Sequence, residues 1–179
     1  MKELMSNRGF TLMTLIMKIM ETVHPHARKR AETFGISKGS TVIDYACGPG
    51  RYTIEFAKLA GEHGRIFAVD LKDLALKEVE KKAKSQGLTN IQLRLAKGYD
   101  SSIESEIADM VIVLDVFFMI ENPSLFLKEI NRICKKDGIL VIDDGHQSRK
   151  ATIKKIKDSG LWEIIEERKD HLKCKKSYN

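Results

Sequence analysis

Cysteine and proline are scarce in this sequence, three of each among 179 residues, and no apolar run is long. An odd cysteine count, with no pair at the short spacing of a zinc knuckle, excludes an extracellular disulfide frame and a cysteine-based metal module. That usage fits a reducing, cytoplasmic compartment. Twelve glycines beside three prolines are too few for a collagen-like or linker-like chain. The run from Phe10 to Met17 is cut by Lys18, well short of the roughly 20 apolar residues of a membrane span. Lys2 and Arg8 precede it as in a targeting signal, but no small-residue cleavage site follows before Arg28, Lys29 and Arg30.

What is present points to one soluble domain. With 42% hydrophobic and 31% charged residues, a chain of this size buries roughly 70% of the surface its unfolded form exposes and needs no staple. The net charge of +6 is compatible with an anionic partner, although a solvated basic surface is the simpler account. Met13, Met17 and Met20, with Leu12, Ile16 and Ile19, recur at the three- and four-residue steps of an apolar helix face. Residues 1–36 therefore read as a helical cap and 37–179 as the core of the same domain. The cap is either a helix simply docked on that core or, since thioethers adapt to irregular shapes, a cover over an apolar substrate.

From Ser40 onward, short β-branched runs alternate with stretches of helical period. Strands are expected at Thr41 to Tyr45, Arg65 to Asp70, Ile91 to Ala96, Met110 to Leu114 and Gly138 to Asp143. Helices are expected at Tyr52 to Gly61, Asp73 to Gln86, Pro123 to Lys136 and Ser148 to Ser159, with Gly87 and Gly138 placed to end two of them. Such alternation predicts an α/β fold, doubly wound, with right-handed crossovers and a mostly parallel sheet covered on both faces. Two last strand-like runs, Leu161 to Arg168 and His171 to Ser177, are joined only by Lys169 and Asp170. A link that short permits an antiparallel hairpin and forbids a parallel crossover, giving seven strands in all. Ligands of such sheets lie beyond the carboxyl ends of the strands, where the winding reverses.

The first strand runs into Asp44-Tyr45-Ala46-Cys47-Gly48-Pro49-Gly50. Small residues at Ala46, Gly48 and Gly50 let backbone approach a ligand, and glycine accepts positive φ in the turn. A Walker loop would close in Gly-Lys-Ser/Thr, and a dinucleotide fingerprint would put a third small residue where Thr53 stands. Both are disfavoured. Asp44 would moreover repel a pyrophosphate and attract a cationic amine. The second strand ends at Asp70, where an acidic residue about 20 positions past a glycine turn suits both hydroxyls of a ribose. As a purely structural residue Asp70 would cap a helix, a role for which Asp73 is better placed.

VIDYACGPGRYT at Val42 to Thr53, followed by IFAVD at Ile66 to Asp70, resembles the class I, Rossmann-like S-adenosylmethionine-dependent methyltransferases; the stretch from Ile112 to Asp144 resembles their fourth strand, fourth helix and fifth strand. The resemblance runs from about Phe34 to the end. Departures are Ala46 and Lys136-Asp137-Gly138, where the family usually has glycine and Pro-Gly-Gly, and Gly98-Tyr99-Asp100, where it often presents an acidic residue to adenine. The resemblance implies S-adenosylmethionine as cofactor. It places backbone from Ala46 through Cys47 and Gly48 to Gly50 around the methionine part, with Asp44 near the ammonium group. Asp70 would hold the ribose and Leu71 pack on adenine, whose edge is flanked by Gly98 and by Tyr99 or Asp100. Asp115 and Val116 would lie beside the sulfonium.

Methyl transfer needs no universal base, so the acceptor is not legible from one residue. His146, just past the fifth strand, is the candidate catalytic base; the alternative is a solvated loop histidine. Asp143, Asp144 and His146 lack evident further metal ligands, so no metal is expected. Phe117, Phe118 and Met119 follow the fourth strand and suit an apolar or aromatic acceptor. The leading expectation is a methyltransferase acting on a small molecule. An RNA or protein methyltransferase is the alternative suggested by the basic charge, but the Asn/Asp-Pro-Pro-Tyr/Phe element of amino-methylating enzymes is replaced by Leu114-Asp115-Val116-Phe117. Nucleic acid is therefore not the favoured partner. A non-catalytic S-adenosylmethionine-binding protein is the third reading.

Overall fold

The computed structural model describes residues 26–178, together with Ser6, Gly9, Thr11, Leu12 and Thr14. Of the methionine-bearing helix read from the sequence, Gly9, Thr11, Leu12 and Thr14 are helical; Met13, Ile16, Met17, Ile19 and Met20 lie outside the described residues. The chain then runs α1 (His26–Glu32), β1 (Thr41–Tyr45), α2 (Thr53–Ala60), β2 (Arg65–Asp70), α3 (Asp73–Ser85), β3 (Ile91–Leu95) and β4 (Ala108–Val113). It continues through a short 3₁₀ turn (Phe117–Met119), α4 (Pro123–Ile133), β5 (Cys134–Ile142), α5 (Arg149–Asp158), β6 (Trp162–Glu167) and β7 (Leu172–Lys176).

The strands form one seven-stranded sheet in the order β3-β2-β1-β4-β5-β7-β6. β1 to β5 pair in parallel, and β7 pairs antiparallel with both β5 and β6. This is the predicted architecture, including the closing hairpin. The winding reverses at β1, which has β2 on one side and β4 on the other, so the ligand-binding crevice of such a sheet opens above Tyr45 and Val113.

Period-two alternation divides the buried side chains between two faces. Ile43, Val111, Val113 and Leu140 pack with Phe126, Leu127 and Ile130 of α4, while Val42, Ile112 and Val141 pack with Phe34, Phe56 and Ala57 on the side of α1 and α2. Every residue of β1 is buried, as expected at the centre of a sheet covered on both sides, whereas β3 at the edge is only partly covered. No helix of the described residues is long and apolar enough to cross a membrane.

Helix limits follow local chemistry with one exception. Asn122 caps α4 by accepting the Leu125 N–H at 3.1 Å, with Pro123 in the first turn, and Gly87 ends α3 at φ +65°. The expected continuation of α4 to Lys136 is corrected: the helix stops at Ile133 and β5 begins at Cys134, four residues before the expected Gly138. The polar run Lys135 to Asp137 looks helical in sequence, but Cys134 already pairs with Ala108, and the register then slips so that Met110 faces Ile139. Gly138 sits inside that irregularity and does not terminate a helix. A Cβ there would stand 2.6 Å from Cys134 Sγ and 2.8 Å from the Ala108 carbonyl oxygen.

Candidate functional site

The turn after β1 needs left-handed backbone at alternate positions: φ is +63° at Ala46, +52° at Gly48 and +76° at Gly50. It is held by the Cys47 N–H donating to the Val69 carbonyl at 3.0 Å and the Gly50 N–H donating to Cys47 at 3.1 Å. Its two glycines serve different ends. A Cβ on Gly50 would lie 2.8 Å from Val79 Cγ2, so this glycine lets α3 pack against the turn; a Cβ on Gly48 would meet nothing within 4 Å. Gly48 therefore presents bare backbone to open space.

Asp70 stands beside that opening. One carboxylate oxygen accepts the Gly48 N–H at 2.9 Å and the other the Lys72 N–H at 2.9 Å, which braces the turn and the entry to α3 together. Asp73, expected to be the cap, is instead the first residue of α3 and pairs with Lys77. Burial raises the Asp70 pKa, and backbone N–H groups of Lys72 and Gly48 oppose the rise.

Asp44 lies beneath the turn, 3% exposed, and accepts the Thr53 hydroxyl at 2.5 Å. Burial lifts its pKa to about 7, against the pull of the Thr53 bond, with Asp70 adding to the rise. An acid whose pKa is higher folded than unfolded stabilises the fold fully below its unfolded value and loses that contribution as pH climbs through the folded value. Stability should thus fall between about pH 4 and pH 7, by about 1.4 kcal/mol for each tenfold change in proton affinity. Urea unfolding of the wild type and of Asp44→Asn across that range should show the slope flattened in the variant. The Cys47 thiol is also buried, and burial followed by Asp44 and Asp70 keeps it protonated, so it is no nucleophile.

The segments after the other strands reach the same rim. Past β3, Gly98 at φ +63° again faces open space. Tyr99 is tied on three sides: its carbonyl accepts the Tyr45 hydroxyl at 2.6 Å, its own hydroxyl accepts the Asn122 N–H at 3.0 Å, and its ring meets Phe126 edge-on at 5.9 Å. Asp100 is exposed and turns back on the Ser102 N–H at 2.7 Å. Leu71 is half-buried after β2, and Val116 is buried after β4. Asp115 is exposed at φ +56°, uncommon for a residue with a side chain.

His146 is exposed and meets the ring of Phe118 edge-on, centroids 4.9 Å apart. The sequence placed it near an aspartate, but both neighbours are committed elsewhere: Asp144 to Arg149 at 2.8 Å and Asp143 to Arg30 at 2.8 Å. Gly145 allows the ring contact, since a Cβ there would fall 2.3 Å from Phe118 Cδ1.

Arg30 is the residue that sequence reading missed. Seen only as part of a basic run, it is largely buried and forks into the rim, donating to Asp143, to the Tyr52 hydroxyl at 3.1 Å, and to the Asp170 carboxylate and carbonyl at 3.1 and 2.8 Å. Nothing local signals this, because Asp143 and Asp170 are 113 and 140 positions away.

The sequence profile of a methyltransferase domain matches residues 36–175, most of the chain. The chain belongs to the methyltransferase-domain family. The methyltransferase domain is 31% identical over 119 residues to the demethylmenaquinone methyltransferase of Staphylococcus carnosus, covering 66% of this chain and 48% of that protein. A second, from Geobacillus stearothermophilus, is 28% identical over 106 residues, covering 59% of this chain and 45% of the relative. The chain thus spans about half the length of these curated relatives. Among solved structures, a putative S-adenosylmethionine-dependent methyltransferase from Methanococcus maripaludis superposes with a TM-score of 0.81 at 22% identity, covering 100% of this chain and 99% of the other. One from Aquifex aeolicus gives 0.73 at 22% identity, covering 83% and 87%. The fold of the methyltransferase domain is the class I, Rossmann-like one, whose members use S-adenosylmethionine.

Proposed function

We propose that this chain transfers a methyl group from S-adenosylmethionine to a small, planar, apolar acceptor. The observation that carries the reading is the open backbone of Gly48 beside the Asp70 carboxylate at the reversal of the sheet. Bare backbone facing an opening into which a Cβ would project suits the methionine part of the cofactor, held by backbone from Ala46 through Cys47 to Gly50, with Asp44 beneath its ammonium group. Each Asp70 oxygen accepts one backbone N–H and keeps a lone pair for one ribose hydroxyl. Leu71 packs on the adenine face; Gly98 and Tyr99 border its edge. Asp115 and Val116 flank the sulfonium.

When bound, the cofactor supplies an electrophilic methyl on a sulfonium with a neutral leaving thioether. The chain has then to exclude water and align the acceptor, and alignment alone is worth on the order of 7–11 kcal/mol. Phe118, His146 and the exposed Met119 form an aromatic and thioether wall on the acceptor side. That wall, and relatives named demethylmenaquinone methyltransferases, favour a quinol-like acceptor whose hydroxyl proton passes to His146.

Calorimetry should give one S-adenosylhomocysteine bound per chain and no heat with NAD. Methyl-labelled S-adenosylmethionine incubated with reduced 1,4-naphthoquinone should yield a labelled naphthalene product. His146→Ala should slow this reaction while leaving S-adenosylhomocysteine binding intact, and a wild-type rate in the folded variant removes His146 as the base. Label appearing in added RNA or protein, with none in the naphthalene, sinks the small-molecule reading.

A further inference from the structure

We propose that Arg30 is a positioning residue that holds Asp115 beside the sulfonium, acting through Asp143. The inference deepens the proposed function and rests on its placement of Asp115.

The chain of contacts is short and complete. Asp143, just past β5, has a side chain 4% exposed. Its Oδ2 accepts from Arg30 Nη2 at 2.8 Å, and its Oδ1 accepts the Asp115 N–H at 2.8 Å. Burial raises the Asp143 pKa, and its bond to Arg30 opposes that rise. Without Arg30, the carboxyl would favour the neutral acid or turn toward solvent, and either change costs Asp115 its anionic acceptor. Asp115 is a residue with a Cβ at φ +56°; such backbone persists where its surroundings over-determine it. Among the described residues, its N–H bond to Asp143 is what ties this exposed residue to the end of β5.

Arg30 is equipped for this because its own position is fixed several times over. The guanidinium is anchored by Tyr52 at the entry to α2 and by Asp170 in the turn between β6 and β7. It also lies 5.6 Å from the centre of the Tyr52 ring and 5.9 Å from that of Phe34. A planar fork can meet these partners at once; an ammonium cannot. α1 thereby sets the loop after β4 through Asp143.

Asp115 is a carboxylate, so its field favours the cationic donor S-adenosylmethionine over the neutral product S-adenosylhomocysteine. The ratio of the two affinities, measured by calorimetry, reports that field and is insensitive to general weakening of the site. Asp115→Asn should lower the preference for the cation about five- to tenfold. Arg30→Met, which keeps the aliphatic stem, should lower it similarly, and the double variant should be no worse than either single one. If Asp115→Asn leaves the ratio unchanged, the placement of Asp115 fails and the proposal fails with it. If Asp115→Asn shifts the ratio while Arg30→Met weakens both ligands equally, Arg30 only holds the fold together, and the proposal is overturned with the placement intact. Should Arg30→Met not fold, Asp143→Asn takes its place in the cycle: the same loss of preference supports the relay, and a wild-type ratio overturns it.

Discussion

Replacing Asp70 by alanine is expected to weaken S-adenosylhomocysteine binding by roughly 10²–10⁴-fold in calorimetry, because two charge-assisted hydrogen bonds to the ribose, at about 1.5–3 kcal/mol each, disappear together. The same substitution removes the acceptor shared by the Gly48 and Lys72 N–H groups. Folding should therefore lose about 1–3 kcal/mol, the usual cost of leaving such donors unpaired. Asp70→Asn separates the two effects. Its single amide oxygen can still serve one backbone donor, so more of the stability should survive than of the affinity. Full retention of affinity in Asp70→Ala, with an unchanged melting curve, would show that the ligand lies elsewhere on the sheet edge.

Gly50→Ala and Gly48→Ala, the same chemical change two residues apart in sequence, are expected to fail in different ways. At Gly50 the new Cβ meets Val79 Cγ2 at 2.8 Å and Val79 Cα at 3.4 Å, with φ at +76°. Left-handed strain of about 1–2 kcal/mol then adds to overpacking of about 1–3 kcal/mol. A Val79→Ala background should return the steric part, giving a clear coupling energy in a double-mutant cycle. At Gly48 only the left-handed strain applies, so the folded state should lose about 1–2 kcal/mol, while S-adenosylhomocysteine binding falls as the methyl enters the opening. Equal destabilisation by the two substitutions, or unaltered binding in folded Gly48→Ala, would contradict the division of roles between them.

Legibility in the sequence followed the range of the interactions. The strand-to-helix turn could be read because its demand for positive φ is written into residue type at Gly48 and Gly50, and Asp70 because a strand end is a local event. The closing hairpin was legible because Lys169 and Asp170 leave no chain for a crossover. What escaped reading was set by tertiary partners. The slip in β5 depends on Ala108 and Cys134 meeting across the sheet. Asp44 reads as an open carboxylate until Thr53 folds over it, and His146 looks paired with aspartate until Arg30 and Arg149 claim both neighbours. The profile match establishes the methyltransferase domain, while the parts assigned to Asp70, Asp115 and His146 are those the variants above test.

The place of β7 between β5 and β6 also governs the order of assembly on the ribosome. β6 is synthesised first, yet it joins the sheet only through Trp162 to Glu167 pairing with a strand that has still to emerge. Until Leu172 to Lys176 leave the exit tunnel, the nascent chain carries a bare edge along Ile139 to Ile142, with its N–H and C=O groups open to another chain. Closing of this edge therefore waits on the second strand of the hairpin, and until β7 pairs, the backbone of β5 is open to association with another chain.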